Sequence, residues 1–241
     1  MKVQEIGSRG LLVTFYELDG YPTNVYVIQG KTHTFICDTF LGPESMKELI
    51  HYLEYHYELY PYVVFNSHYH WDHIWGNCAF ESALIIAHDK CRALIENHGQ
   101  KELSAHEEYM TGDVTLVLPD LTFSEHMIFW EDEVMVFHSP GHTADSASCF
   151  DQKDNILFAG DTVESPIPYV FSQDLTAYMA TLEHFLDMEF EILIPGHGPI
   201  PERSLISENL AYIKALAHHD TTLYEQEPFK AIHTINMEFL K

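Results

Sequence analysis

The chain has 241 residues, with 12 Lys and Arg against 37 Asp and Glu, a formal net charge of −25. So acidic a surface repels phosphate backbones and anionic headgroups, so nucleic acid and membrane surfaces are not expected partners. Hydrophobic residues make up 46% of the chain, enough for a sizeable core, yet no apolar run approaches the roughly 18 residues of a membrane span.

In chain order, Leu11–Tyr16 and Asn24–Gln29 have strand character, and His33–Cys37 follows a Gly30-Lys31 turn. Pro43 stands near the start of a helix in which Met46, Leu49, Ile50 and Leu53 share an apolar face. Tyr62–Phe65 and Ala83–Ala87 read as strands, and Asp89–Asn97 as a helix. Gln100–Thr111 is polar and fits either a helix or an insertion over the site. Thr115–Leu118, Met127–Phe129 and Val134–His138 are strand-like, and Ala147–Phe150 with Ile156–Ala159 reads as a hairpin around Asp151–Asn155. Asp174–Leu186 and Ser204–Ala217 carry helical apolar faces, with the short strand Ile192–Ile194 between them, and the tail from Asp220 is ambiguous. Without a repeat, a low-complexity run or a linker, residues 1–241 are expected to form one α/β domain, sheet covered by helices. Met1–Gly10 lacks the apolar core of a secretory leader. Cys37, Cys78, Cys91 and Cys149 form no Cys-x-x-Cys pair, so reduced thiols in a cytoplasmic protein are expected.

One stretch stands apart. Ser67-His68-Tyr69-His70-Trp71-Asp72-His73, directly behind the Tyr62–Phe65 strand, places four potential metal ligands within six residues. Imidazole and carboxylate are ligands of zinc and similar divalent ions. A lone His on an apolar face is more often a packed core residue, but four ligating side chains at one strand end are poorly explained that way. Three further loops, each behind a short apolar strand, carry the same chemistry: Ser139-Pro140-Gly141-His142-Thr143, Gly160-Asp161-Thr162 and Pro195-Gly196-His197-Gly198. Their glycines let the chain bend sharply at the strand end and aim the next side chain.

Together, His68-x-His70-x-Asp72-His73, His142, Asp161 and His197 resemble the metallo-β-lactamase superfamily, from about Val13 to about Pro199. The Gly76-Asn77 pair and the Pro-Gly-His-Thr, Ala-Gly-Asp-Thr and Pro-Gly-His-Gly turns are similar to its glyoxalase II-type hydrolase branch. The resemblance implies a four-layer αβ/βα sandwich with a dinuclear metal centre at its edge. It implies that His68, His70 and His142 hold one ion, that Asp72, His73 and His197 hold the other, and that Asp161 bridges them. Asp38, at the end of His33–Cys37, matches an acidic residue that orients the ligands from behind.

Two metals about 3.5–4 Å apart share a hydroxide that exists near neutral pH. The expected activity is therefore metal-dependent hydrolysis, in which the hydroxide attacks the carbonyl of a small-molecule thioester, lactone, ester or amide. Asp72 is expected both to ligate and to orient that hydroxide. The nitrogen and oxygen ligand set suits zinc first, then iron or manganese. An iron-dependent oxidoreductase on the same fold, diiron or like a persulfide dioxygenase, is the alternative, and the charge argues against a phosphodiesterase or nuclease. Zinc β-lactamases place Cys where Asp161 stands. After His197 the only basic residues are Arg203, Lys214, Lys230 and Lys241, a departure from the basic extension with which glyoxalase II holds glutathione. Tyr69, Trp71, Tyr169 and Phe171 are expected to face the substrate, with Trp75 in the same aromatic rim and Asp19–Thr23 over the site. The other histidines, His106 and His138 among them, are expected to have no functional role, and the oligomeric state is left unassigned.

Overall fold

In the computed structural model, which describes every residue except Asp19, two β-sheets face each other and helices cover their outer sides. The first sheet runs β1 (Lys2–Ile6), β2 (Gly10–Phe15), β3 (Thr23–Gln29), β4 (Thr34–Cys37), β5 (Tyr62–Asn66), β6 (Leu84–His88) and β7 (Leu121–Phe123). Its pairs are antiparallel up to β4 and parallel beyond it. The second is built from β8 (His126–Phe129), β9 (Val134–His138), β10 (Ala147–Asp151), β11 (Ile156–Gly160) and β12 (Ile192–Pro195), antiparallel except for the β11–β12 pair. The helices are α1 (Pro43–His56), α2 (Trp71–Ile74), α3 (Asp89–Ala105), α4 (Leu175–Asp187), α5 (Ser204–His218) and α6 (Lys230–Phe239).

Strand alternation sorts the core into layers. Phe35, Cys37, Val63, Phe65 and Ile86 pack against Val134, Val136, Cys149, Ile156 and Phe158 of the facing sheet. Ile36, Val64 and Ile85, one residue out of phase, meet Met46, Leu49 and Leu53 of α1. Ala87 meets Cys91 and Ile95 of α3. On the far side Leu157, Ala159 and Leu193 receive Tyr178, Leu182 and Phe185 of α4 and Ile206 and Ile213 of α5. Both faces of the inner strands are covered, so β4, β5 and β6 read as near-continuous apolar runs. The result is the four-layer sandwich.

Some elements differ from the expectation. β1 buries a single residue, so its sequence shows no alternation. Thr115–Leu118 joins no ladder, and the edge position goes to the three-residue β7. Helix α3 continues through polar Gln100 to Ala105. In the tail, α6 turns His233 and Asn236 inward, which masks the apolar period. Among the described residues no helix is long and apolar enough to cross a membrane.

Parallel pairing puts the carboxyl ends of β4 and β5 side by side, and likewise those of β11 and β12. β9, two antiparallel steps from β11, runs the same way as it. All the strand-end loops of interest therefore reach one edge of the sandwich. At the other edge, Asp132 in the β8–β9 turn accepts from Thr32 N and Oγ1, both at 2.7 Å, and from His33 Nδ1 at 2.8 Å, tying the sheets together.

Candidate metal centre

The three loops and the cluster behind β5 converge into two groups of ligating atoms, His68, His70, His142 and Asp161 in one and Asp72, His73 and His197 in the other. His68 Nε2 and His142 Nε2 lie 2.9 and 3.1 Å from His70 Nδ1. In the second group His73 Nε2 and His197 Nε2 are 3.3 Å apart, and Asp72 Oδ2 is 3.6 and 3.3 Å from them. Asp161 Oδ2 lies between the groups, 3.7 Å from Nε2 of His68 and of His142 and 3.4 Å from Nε2 of His73 and of His197.

Hydrogen bonds behind the rings fix the tautomers. His142 Nδ1 donates to the Tyr169 carbonyl at 3.0 Å, and His73 Nδ1 to Asp38 Oδ2 at 2.8 Å. Ser67 Oγ gives its proton to Asp38 Oδ2, so it accepts from His68 Nδ1 at 3.0 Å. Thr23 Oγ1 gives its proton to the Tyr21 carbonyl, so it accepts from His197 Nδ1 at 3.2 Å. With Nδ1 committed to these partners, it is the Nε2 atom of each of the four rings that faces one carboxylate oxygen and is free to ligate. The other oxygen, Asp161 Oδ1, is buried without a hydrogen-bond partner. Converging lone pairs and an orphaned carboxylate atom fit a cationic occupant, and the donor set suits a divalent metal.

The charges divide the two groups. Burial, with His142 adding to it, holds His70 down at about 3, and burial also keeps His68 and His142 below the usual imidazole range. In the second group burial also pushes the imidazoles down, but the carboxylates outweigh it. Asp161, Asp72 and Asp38 raise His73 well above its ordinary value, and Asp161 and Asp72 lift His197 to about 10. For Asp72 burial works upward, and His73 and His197 overcome it and hold the carboxyl at about 2. Without metal, these carboxylates attract protons onto the same nitrogens that would otherwise take a cation.

Asn24, Asn66 and Glu164, overlooked in the sequence, complete the frame together with Asn77 of the Gly76-Asn77 pair. Asn24 Nδ2 donates to the carbonyls of Pro195 and Gly198 at 2.9 and 2.8 Å, clamping the His197 loop to β3. Asn77 pairs with Asn66 and accepts from Thr39 Oγ1 at 2.8 Å, joining the β4 and β5 ends. Glu164 Oε2 accepts from Tyr169 N at 2.8 Å, so it steadies the carbonyl that holds His142. Burial, followed by Asp161, pushes the Glu164 carboxyl well above its usual range. A Cβ at Gly196 would collide with Asp161 Oδ1, which explains glycine beside His197.

The site opens into a cleft of about 520 Å³, lined among others by Tyr21, Trp71, His106, Tyr109, Tyr169 and Phe171. Trp71, Tyr169 and Phe171 therefore face it. Tyr69 is not among the lining residues: in the bend after β5, His68 and His70 turn toward Asp161 and His142, and Tyr69 packs near His98. Trp75 is buried in the core beneath. His106, assigned no role above, stacks on Trp71 with ring centroids 4.6 Å apart and lines the cleft. His138 stacks on His88, away from the cleft lining. Of Asp19–Thr23, Tyr21 lines the cleft and Thr23 holds His197, while Asp19 lies outside the described residues.

The fold is a four-layer sandwich with a candidate metal centre at one edge, and the family model described as metallo-beta-lactamase superfamily matches residues 18–197. The chain belongs to that superfamily. It is 26% identical over 186 residues to the beta-lactamase-like protein 2 homolog of Drosophila melanogaster, over 76% of this chain and 61% of that protein. This match spans less than two thirds of the fly protein. To the human acyl-coenzyme A thioesterase MBLAC2 it is 25% identical over 211 residues, over 76% of this chain and 75% of that protein. The metallo-beta-lactamase from Pontibacter korlensis shares the fold with a TM-score of 0.73 at 20% identity, over 88% of this chain and 98% of the other.

Proposed function

We propose that the chain is a metal-dependent hydrolase of small acyl thioesters, holding two divalent ions, zinc in first place, at the floor of its cleft. His68, His70 and His142 would hold one, Asp72, His73 and His197 the other, and Asp161 would serve both. The observation that carries this reading is the position of Asp161 Oδ2, 3.4 to 3.7 Å from Nε2 of four histidines drawn from both groups.

When bound, the metal pair supplies a hydroxide at neutral pH and polarises a carbonyl oxygen. The protein's part is positioning. Asp72, ionised at neutral pH, lines the cleft, where it would accept a hydrogen bond from an attacking water or hydroxide and orient it. Asp38, Ser67, Thr23 and the Tyr169 carbonyl accept from Nδ1 of His73, His68, His197 and His142 and so aim the Nε2 atoms inward. Phe171, edge-on to His70 and His142 at 5.4 Å from each ring, shields that group from bulk water. The thioester class is supported by the name of the human relative, whose match covers most of both chains. Four free cysteines, three of them buried, support a reducing, cytoplasmic setting. The test is turnover of acyl thioesters by the metal-loaded protein, with loss on chelation and recovery on adding zinc back.

A further inference from the structure

The cleft that leads to the proposed centre contains no Lys or Arg among its described lining residues. The basic side chains are committed elsewhere in several cases. Arg9 binds Asp151 at 2.6 Å, Arg203 donates to backbone carbonyls and stacks over Phe190, and Lys214 pairs with Glu183. What lines the mouth is aromatic and acidic. Trp71, His106 and Tyr109 form one ring cluster, with the second and third rings centred 4.6 and 5.3 Å from Trp71. Tyr21 and Tyr169 join hydroxyls at 2.8 Å, and Phe171 lies parallel to Tyr169. Glu17 is exposed at the same mouth, and Glu102 lies 3.5 Å from His106.

We propose that this mouth selects acyl donors whose leaving arm carries a positive charge, and disfavours anionic, phosphate-bearing carriers. The inference rests on the hydrolase reading and names its substrate class. In that reading Asp72 and Asp161 face the ions they hold and Glu164 is buried against Tyr169 N, so Glu17 is the exposed lining carboxylate left to meet an arm reaching outward. An ammonium group gains from ring faces and from a carboxylate partner. A net charge of −25 adds a long-range field that draws in cations and repels polyanions. In the reaction water adds to the acyl carbon, the C–S bond breaks, and a carboxylic acid and a cationic thiol leave.

The test uses the metal-loaded full chain and three acetyl thioesters: acetylthiocholine, S-acetyl-N-acetylcysteamine and acetyl-coenzyme A. The expected order of kcat/KM is cationic, then neutral, then anionic, with about tenfold between the first and last at low salt and a smaller gap at high salt. Calorimetric titration with benzyltrimethylammonium, benzyl alcohol and benzenesulfonate, which need no turnover, is expected to give the same order of affinity. Glu17→Gln and Tyr109→Leu should each shrink the cationic-to-neutral ratio. Acetyl-coenzyme A hydrolysed as well as the cationic ester, or benzenesulfonate bound as tightly as the ammonium, overturns the proposal and leaves thioester hydrolysis standing. No turnover of any ester, with the ammonium still bound most tightly, overturns the hydrolase reading and leaves the charge selection standing.

Discussion

Asp38 Oδ2 lies 2.8 Å from His73 Nδ1, with both side chains fully buried. The same carboxylate accepts from Ser67 N and Oγ at 2.7 Å, and Ser67 Oγ in turn holds His68. One carboxylate thus orients a histidine from each group. Asp38 has φ 63, a left-handed conformation that Asn also tolerates, so Asp38→Asn preserves the backbone. That variant should lose about 10- to 100-fold in metal affinity. Competition against a chromophoric chelator measures it, with circular dichroism confirming the fold. Unchanged affinity would remove Asp38 from the site.

Gly196→Ala puts a methyl group against Asp161 Oδ1, near the His73 ring. Asp161 must then shift relative to both groups. A displacement of that kind costs about a hundredfold in kcat/KM, and metal content should fall with it. Retention of full activity and full metal content would show that Asp161 has more freedom than its contacts imply.

Metal uptake should depend steeply on pH. In the metal-free protein Asp161 and Asp72 lift His197 to about 10 against the effect of burial, so it holds a proton at neutral pH that a metal must displace. Affinity is expected to fall as pH falls, by up to about tenfold per pH unit for each proton released. The sign is opposite for the metal-free fold. Its raised imidazole contributes stability that is complete below the ordinary His value and fades as pH rises toward about 10. Calorimetry of zinc binding in two buffers of different ionisation enthalpy counts the protons released. No proton release near neutral pH contradicts this account.

The clamp at the opposite edge gives a control. Burial pushes the Asp132 carboxyl up, and the bonds from His33 and Thr32 outweigh it and hold it below the usual range. Its contribution to stability is therefore present above the ordinary Asp value and is lost as pH falls through the depressed one. Asp132→Ala strands the donors of Thr32 and His33 and should lower the unfolding free energy by about 2 kcal/mol in urea titration. Metal content should not change.

The candidate set is readable in the sequence because each candidate sits in a short motif directly behind an apolar strand, and strand direction alone brings such ends to one edge. What stayed hidden depends on contacts between distant segments. Asn24 acts on the His197 loop more than 170 residues away in sequence, and nothing beside Asn24 signals it. Glu164 and His106 join the cleft only once the loop after β11 and the end of α3 fold over it. Tyr69 stands between candidate ligands in sequence, yet the bend after β5 turns it to His98 and out of the cleft lining. β7 and α6 escaped because one is three residues long and the other buries polar side chains.

The most direct measurement is the metal content of protein purified without chelator, with acyl-thioester hydrolysis assayed on the same sample. Two zinc ions per chain are expected, with hydrolysis that disappears on chelation and returns with zinc. A single iron per chain, with oxygen consumed and no thioester cleaved, would contradict this expectation.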